Sequence, residues 1–367
     1  MKNVFTVAVL TMVLLASCKR QPEPVADIST RTRVVNNIGQ HVIVENFVAF
    51  QSYANGLANA VDSYIADSTS RDKLVTLQSI WFATAVAWKN SALFTFGPVN
   101  DALAARYIDG TPNLDAIEKF ISNTAIPIQN TTIEPLAADT RGLNVIEYLI
   151  YGNNGRDDSS VIASFTGDNG HRRCAFLRAL SRSLLDKADA LVRYWSNGGN
   201  GYVKDFAEST GNERMASIPI LVRRLVEYTA RLREKRLALP LGIQSGKPAP
   251  ELVDARFSGH SLIMLQSELE CIYGVLSGNS AISDRPAGPG IFELLAPGRA
   301  SEDELKKRLD SQFSAIATAR ANIRKPLAES ISSDPAAVNE LYMATGKLLN
   351  MLENDLVERL KAKGMLI

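Results

Sequence analysis

Apolar side chains recur every three to four positions through most of this 367-residue chain, and that period leaves few folds open to it. A helix turns once in about 3.6 residues, so the spacing lines one helix face with groups that must be buried against another element. Val35, Ile38, Val42, Ala49, Tyr53, Leu57, Val61 and Tyr64 keep it in a first long segment. Leu74, Leu77, Trp81, Ala85 and Trp88 keep it in a second, with Gly97-Pro98 as the stop signal. Leu177, Leu180, Leu184, Ala188, Leu191 and Trp195 follow, then Ile218, Leu221, Leu225, Leu232 and Leu239 before Pro240 and Gly242. Residues 258–276 predict a further helix, and Leu341, Leu348, Leu352, Leu356 and Leu360 a last one that closes at Gly364. Alternating strand patterns are nearly absent. Helix-on-helix packing is the layer solution for such a chain, so the expected fold is all-α, in two helical bundles. The Gly-rich stretch Asn197-Gly198-Gly199-Asn200-Gly201 marks the boundary, giving bundles over 29–198 and 199–367.

The first residues address the compartment. Met1-Lys2-Asn3 is basic, an apolar run follows from Val4 to Leu15, and Leu15-Ala16-Ser17-Cys18 has the small residues of a lipobox. The run is too short for a permanent transmembrane helix and reads as a signal peptide over 1–17. Cys18 is then the lipidated residue, and 18–28, with two prolines and several charges, a flexible tether. Lys19 in place of aspartate after the cysteine favours the outer membrane. The expected partner of Cys18 is therefore a membrane, on the periplasmic face of a cell envelope. Loss of residues 1–17 removes one lysine and takes the net charge from +1 to zero, which argues against nucleic acid as a partner. Cys174 and Cys271 remain; in an oxidising compartment they could pair, but each sits in an apolar helical run, and the unpaired reading is favoured slightly.

Chemistry concentrates in Asp139-Thr140-Arg141-Gly142-Leu143-Asn144-Val145-Ile146-Glu147-Tyr148-Leu149-Ile150-Tyr151-Gly152. Asp139 or Thr140 can cap a short helix there, and Gly152 can end it. Asn144 and Glu147 are three apart and share a face. A carboxylate among so many apolar neighbours needs a cationic or hydrogen-bonding partner, or a raised pKa. It is either a structural carboxylate bridging helices or part of a site. Arg256 and Ser258, near a helix start, either bind an anion or serve as ordinary caps. Arg233, Lys235 and Arg236 form a basic face, expected to be solvated, from which one side chain can reach Glu147. Trp81 and Trp88 lie one heptad apart and read as core. No phosphate loop and no serine nucleophile elbow is visible.

Gly142-Leu143-Asn144-Val145-Ile146-Glu147-Tyr148-Leu149 resembles the G-x-H-x-x-E motif of the imelysin family. Further stretches resemble that family in the same order: Trp88-Lys89 leading to Phe94, Phe96, Gly97 and Pro98; the helix opening at Arg172-Arg173-Cys174-Ala175; Leu237 to Gly242; Lys247-Pro248; and Ala255-Arg256 with Ser258-Gly259. The resemblance spans nearly the whole mature chain. It implies two α-helical bundles with a shared pocket, in an envelope protein tied to iron acquisition. It also implies a metallopeptidase label, with the motif's His and Glu as metal ligands. Here Asn144 takes the histidine's place, and a carboxamide is a weak ligand for iron or zinc. His41, His171 and His260 show no ligand spacing, and no His-Glu-x-x-His pair exists.

The reading is therefore a non-catalytic, lipid-anchored binding protein. Its pocket is expected to be lined by Asn144, Glu147, Arg256, Ser258, Trp88 and Tyr148. Iron or another divalent metal would be held only weakly, through Glu147, and envelope iron-transport components are the expected partners. The alternatives are a hydrolase that uses Glu147 as general base, and a structural or partner-binding bundle.

Overall fold

The helical period is realised almost without interruption. The computed structural model of the chain describes residues 28–97, 106–153 and 157–367, and among these there is no β-strand. The signal-peptide and tether readings, including Cys18, lie outside the described residues, as does Pro98. No helix among the described residues is long and apolar enough to cross a membrane.

The first rod runs from α1 (Ile28–Asn37) through a π-helical turn (Ile38–Val44) into α2 (Glu45–Ile65). Ser70 then caps α3 (Arg71–Lys89) by accepting the Lys73 amide at 3.4 Å. The helix stops at Lys89, well before the Gly97-Pro98 signal. Beyond Lys89 the Ser91 hydroxyl donates to the carbonyls of Ala87 and Asn46, and a 3-10 turn over Ala92–Phe94 follows. Short side chains bonding back to the backbone compete with the helical ladder, and here they end it early. Asn113 caps α4 (Leu114–Ser122), and the motif helix α5 (Leu143–Tyr151) leads through α6 (Asp158–Thr166) to the long α7 (Gly170–Trp195). α2 packs against both α3 and α7.

After the Gly-rich stretch come α8 (Tyr202–Glu208) and α9 (Ser217–Leu232). The latter continues through a second π-helical turn (Arg233–Ala238) and ends at Gly242 with a left-handed φ of 71°. The helix expected over 258–276 is α10 (Ser261–Ser277), which starts later because Ser258 is held in a turn by its bonds to Glu147 and the Ala255 carbonyl. α11 (Glu304–Asn322) and α12 (Pro335–Asn350) pair with each other, and a third π-helical turn, Met351–Leu356, follows α12.

Buried residues from Val34 to Met365 belong to one hydrophobic cluster. α1 packs against α8 and α9, and α3 against α10, so helices before and after the Gly-rich stretch share faces. Trp195 illustrates the join: its indole meets Phe47, Phe96, Tyr202 and Phe206 with ring centroids 4.9–6.1 Å apart. Trp81, Trp88 and Trp195 are fully buried, each contributing roughly 2–3 kcal/mol through the area removed from water. Cys174 and Cys271 are both free thiols, and the buried Cys271 donates to the Asn90 carbonyl at 3.0 Å.

Candidate functional site

The motif helix is placed by a glycine and a tryptophan. Gly142, at φ 93°, precedes α5; a Cβ there would stand 2.6 Å from the Ile108 carbonyl oxygen and 2.7 Å from that of Tyr107. Only glycine permits both the dihedral and the approach. It, rather than Asp139 or Thr140, occupies the cap position, since those two residues sit in the 3-10 turn before it. Gly152 ends the helix as its sequence suggests, at φ 69°. Trp81 Nε1 donates to the Leu143 carbonyl at 2.9 Å and fixes the helix start against α3. Asn144 and Glu147 then face the same way, into a cavity of about 640 Å³.

Behind Asn144 lies a buried cluster of charges. Lys89 Nζ, at the end of α3, is 2.6 Å from Asp109 Oδ2 and 2.8 Å from Asp254 Oδ2. Arg236 reaches Asp109 at 2.8 Å, Glu268 at 2.9 Å and Asp254 at 3.6 Å. Tyr228 donates its hydroxyl to Glu268 Oε1 at 3.0 Å. The Asn144 amide nitrogen completes the set, 3.1 Å from each of Asp109 Oδ1, Asp254 Oδ1 and the Gly110 carbonyl. Carboxylates only accept, so the amide must turn its NH2 towards them. Two cations thus share three carboxylates. Such a group holds together only because each carboxylate oxygen faces a cation or a hydrogen-bond donor.

Electrostatics follows from that geometry. Burial pulls the Asp109 carboxyl upward, but Lys89 and Arg236 outweigh burial and hold it well below the usual carboxylate range. Burial and Arg236 both work against the charge on Lys89, yet Asp109, Asp254 and Glu268 raise its pKa. Glu147 differs. It is 1 % exposed, and its hydrogen bond comes from the backbone N–H of Ser258 at 2.7 Å. Burial pushes its carboxyl up from 4.5 to about 8, with Ser258 opposing and nearby Asp254 adding to the rise. At neutral pH Glu147 is therefore mostly a neutral acid.

The loop that carries the Ser258 amide is strained. Ala255, at φ 47°, is the only non-glycine residue with positive φ among those described. Its carbonyl accepts the Ser258 hydroxyl at 3.2 Å. The turn sends Asp254 to the ion cluster and Arg256 to the cavity wall, where the guanidinium lies 4.1 Å over the Phe257 ring.

Of the side chains expected at the pocket, Asn144, Glu147, Arg256 and Trp88 line the cavity. Ser258 stands behind the wall and holds Glu147. Tyr148 turns away: its hydroxyl donates to Glu118 at 2.7 Å, and its ring packs on Phe257 at 5.4 Å. Arg236 is not solvated, as expected for the basic face, but buried; a π-helical turn, just before the proline at 240, carries it inward. It reaches Asp109, Asp254 and Glu268, not Glu147. Sequence reading missed Asp109, Asp254, Glu268 and Tyr228 altogether and treated Lys89 only as part of a landmark. Lys89 at the end of an apolar helix was the one available signal, since a buried lysine demands acids.

Carbonyl and carboxylate oxygens could hold a hard cation here only if they were free. Asp109 and Asp254 already clasp Lys89 and Arg236, and the described residues contain no group of three His, Cys, Asp or Glu side chains that could hold a metal. The site does not fit a bare divalent ion.

The family model for imelysin matches residues 43–354. The fold is similar to that of a Parabacteroides distasonis protein described as an iron-regulated protein A precursor, with a TM-score of 0.75 at 17% identity over 93% of this chain and 96% of that one. It is also similar to an imelysin-like protein from Psychrobacter arcticum, with a TM-score of 0.72 at 17% identity over 92% and 98%. No protein of curated function matches the sequence. The motif helix, its glycine cap and the all-helical frame agree with a family match over most of the chain, and the protein belongs to the imelysin family.

Proposed function

We propose that this imelysin is an envelope lipoprotein of iron handling that binds a ligand in the cavity beside Asn144 and Glu147 and does not cleave it. The observation that carries the binding half is the state of the polar wall. Its buried acids Asp109, Asp254 and Glu268 are matched to Lys89, Arg236, Asn144 or Tyr228, so the wall is preorganised and those oxygens are not free to take a metal. The iron half is supported by the family and by the Parabacteroides neighbour's description as iron-regulated. The envelope half is supported by the lipobox at Cys18, and Cys18→Ser should free the protein from membranes or leave it unprocessed. Unchanged processing and fractionation would remove the anchor from the proposal.

Metal analysis of protein purified from its native envelope, followed by calorimetric titration with zinc and ferrous ions, tests the site. Weak or absent binding of the bare ions is expected. Tight binding by the natural protein that disappears in Glu147→Gln would overturn this reading.

A second reading rests on Glu147 alone. A buried carboxyl with a pKa of about 8 is suited to proton transfer near neutral pH, as a hydrolase would require. Peptide hydrolysis abolished by Glu147→Gln, with a pH profile that breaks near the same value, would favour it.

A further inference from the structure

The cavity is ringed by four cations that take no part in the ion pairs among the described residues. Arg106, Arg231, Lys235 and Arg256 all line it, whereas the ion pairs around it belong to Lys89 and Arg236. None of the four has a carboxylate within ion-pair distance among the described residues. Arg256 lies over Phe257, and Arg231 stands 5.5 Å from the Tyr228 ring; aromatic faces steady these groups without neutralising them. Lys235 is crowded by its own kind: after burial, the repulsion of Arg236 and Arg231 is what lowers its pKa, with Arg106 adding to it. Like charges gathered at one opening serve the folded chain poorly unless an anion joins them.

The acids of the site do not cancel this. Asp109, Asp254 and Glu268 are occupied at the floor, and Glu147 is mostly uncharged at neutral pH. Asp139 is the remaining carboxylate on the lining, so apart from Glu147 four acids stand against five cations there; Lys89 behind the floor and Glu251 beside Arg256 add one of each. Trp88, Leu232, Leu239 and Phe257 supply apolar wall between the charged groups, which suits a carbon skeleton.

We propose that the cavity binds a small organic polyanion bearing several carboxylates, and that iron reaches it as a negatively charged carboxylate chelate, not as a bare cation. The first half stands on Arg106, Arg231, Lys235 and Arg256 around one cavity. The second half rests on the iron-handling reading above. The arrangement also explains how an iron protein can use a site whose own acids are tied to lysine and arginine: the ligand brings the oxygen donors, and the protein supplies the charge that holds them.

Calorimetric titration of the full-length protein in detergent tests this with citrate, ferric citrate, inorganic phosphate and ferrous ion alone as probes. Citrate or ferric citrate should bind saturably and weaken with added salt. The double variant Arg231→Gln/Lys235→Gln and, separately, Arg256→Gln should each lose roughly tenfold or more in affinity. The control Lys307→Gln, on an exposed helix face, should lose nothing. Equal affinity in rim variants and control would overturn the proposal, as would binding of ferrous ion alone with no carboxylate binding, or of phosphate in place of the carboxylates. No binding of any probe would overturn it too. Citrate and ferric citrate bound alike would uphold the anion site and sink the iron-handling reading, so the two failures are distinguishable.

Discussion

At the scale of single residues, Glu147 and Lys89 make opposite demands on pH and on substitution. A carboxyl raised from 4.5 to about 8 on folding contributes stability that is complete below about 4.5 and is lost as pH rises through about 8. Urea denaturation should therefore show stability falling across that window, by up to about 5 kcal/mol. Glu147→Gln keeps an oxygen for the Ser258 amide and carries no proton to lose, so it should flatten the slope and be the more stable form above pH 8. A slope that survives in the variant would place the titrating group elsewhere. Lys89→Met should cost about 3–5 kcal/mol, because Asp109 and Asp254 would lose a partner they cannot replace inside the protein. Ala255→Gly is expected to invert the usual rule. Alanine to glycine normally costs about 0.5–1 kcal/mol, but relief of the left-handed φ should make this change neutral or stabilising by up to about 1 kcal/mol in thermal or urea unfolding. Asn144 and Glu147 were legible in the sequence because a short motif holds them three residues apart. Asp109, Asp254 and Glu268 were not, for an ion cluster drawn from five separate segments has no local pattern.

At the scale of elements, the apolar period located most of the long helices but not α11 (Glu304–Asn322), while the ends of helices depended on side-chain bonds that it does not encode. α3 ends at Ser91's hydrogen bonds rather than at the later glycine and proline, and α5 begins on Gly142. The π-helical turn after α9 was equally hidden: the period predicts an outward basic face, and one wide turn brings Arg236 inside. Gly142→Ala tests how strictly the motif helix is seated. The new Cβ would meet two backbone carbonyls that cannot move as side chains do, so a loss of more than about 2 kcal/mol is expected in urea unfolding. A loss below 0.5 kcal/mol, on the order of a neutral surface change, would mean that α5 can shift without cost.

At the scale of the whole molecule, the all-α class followed from the sequence because nearly every segment repeats one period, and far-ultraviolet circular dichroism should show strong helical minima with no sheet component. What the period left open was which helices meet. α1 is held by partners far along the chain: Asn37 donates to the carbonyls of Gly278 at 2.8 Å and Pro289 at 3.2 Å, and α1 packs on Ile291–Leu295. Those contacts give the order of assembly a direction. A ribosome adds about 5–20 residues per second, so α1 must wait on the order of ten to fifty seconds for the last of its partners, Ile291–Leu295, to be made. Through that interval the earliest helix is a sticky, unfinished surface. A chain built this way cannot seat its first described helix fully until its last third has emerged, when residues 278–295 clasp it.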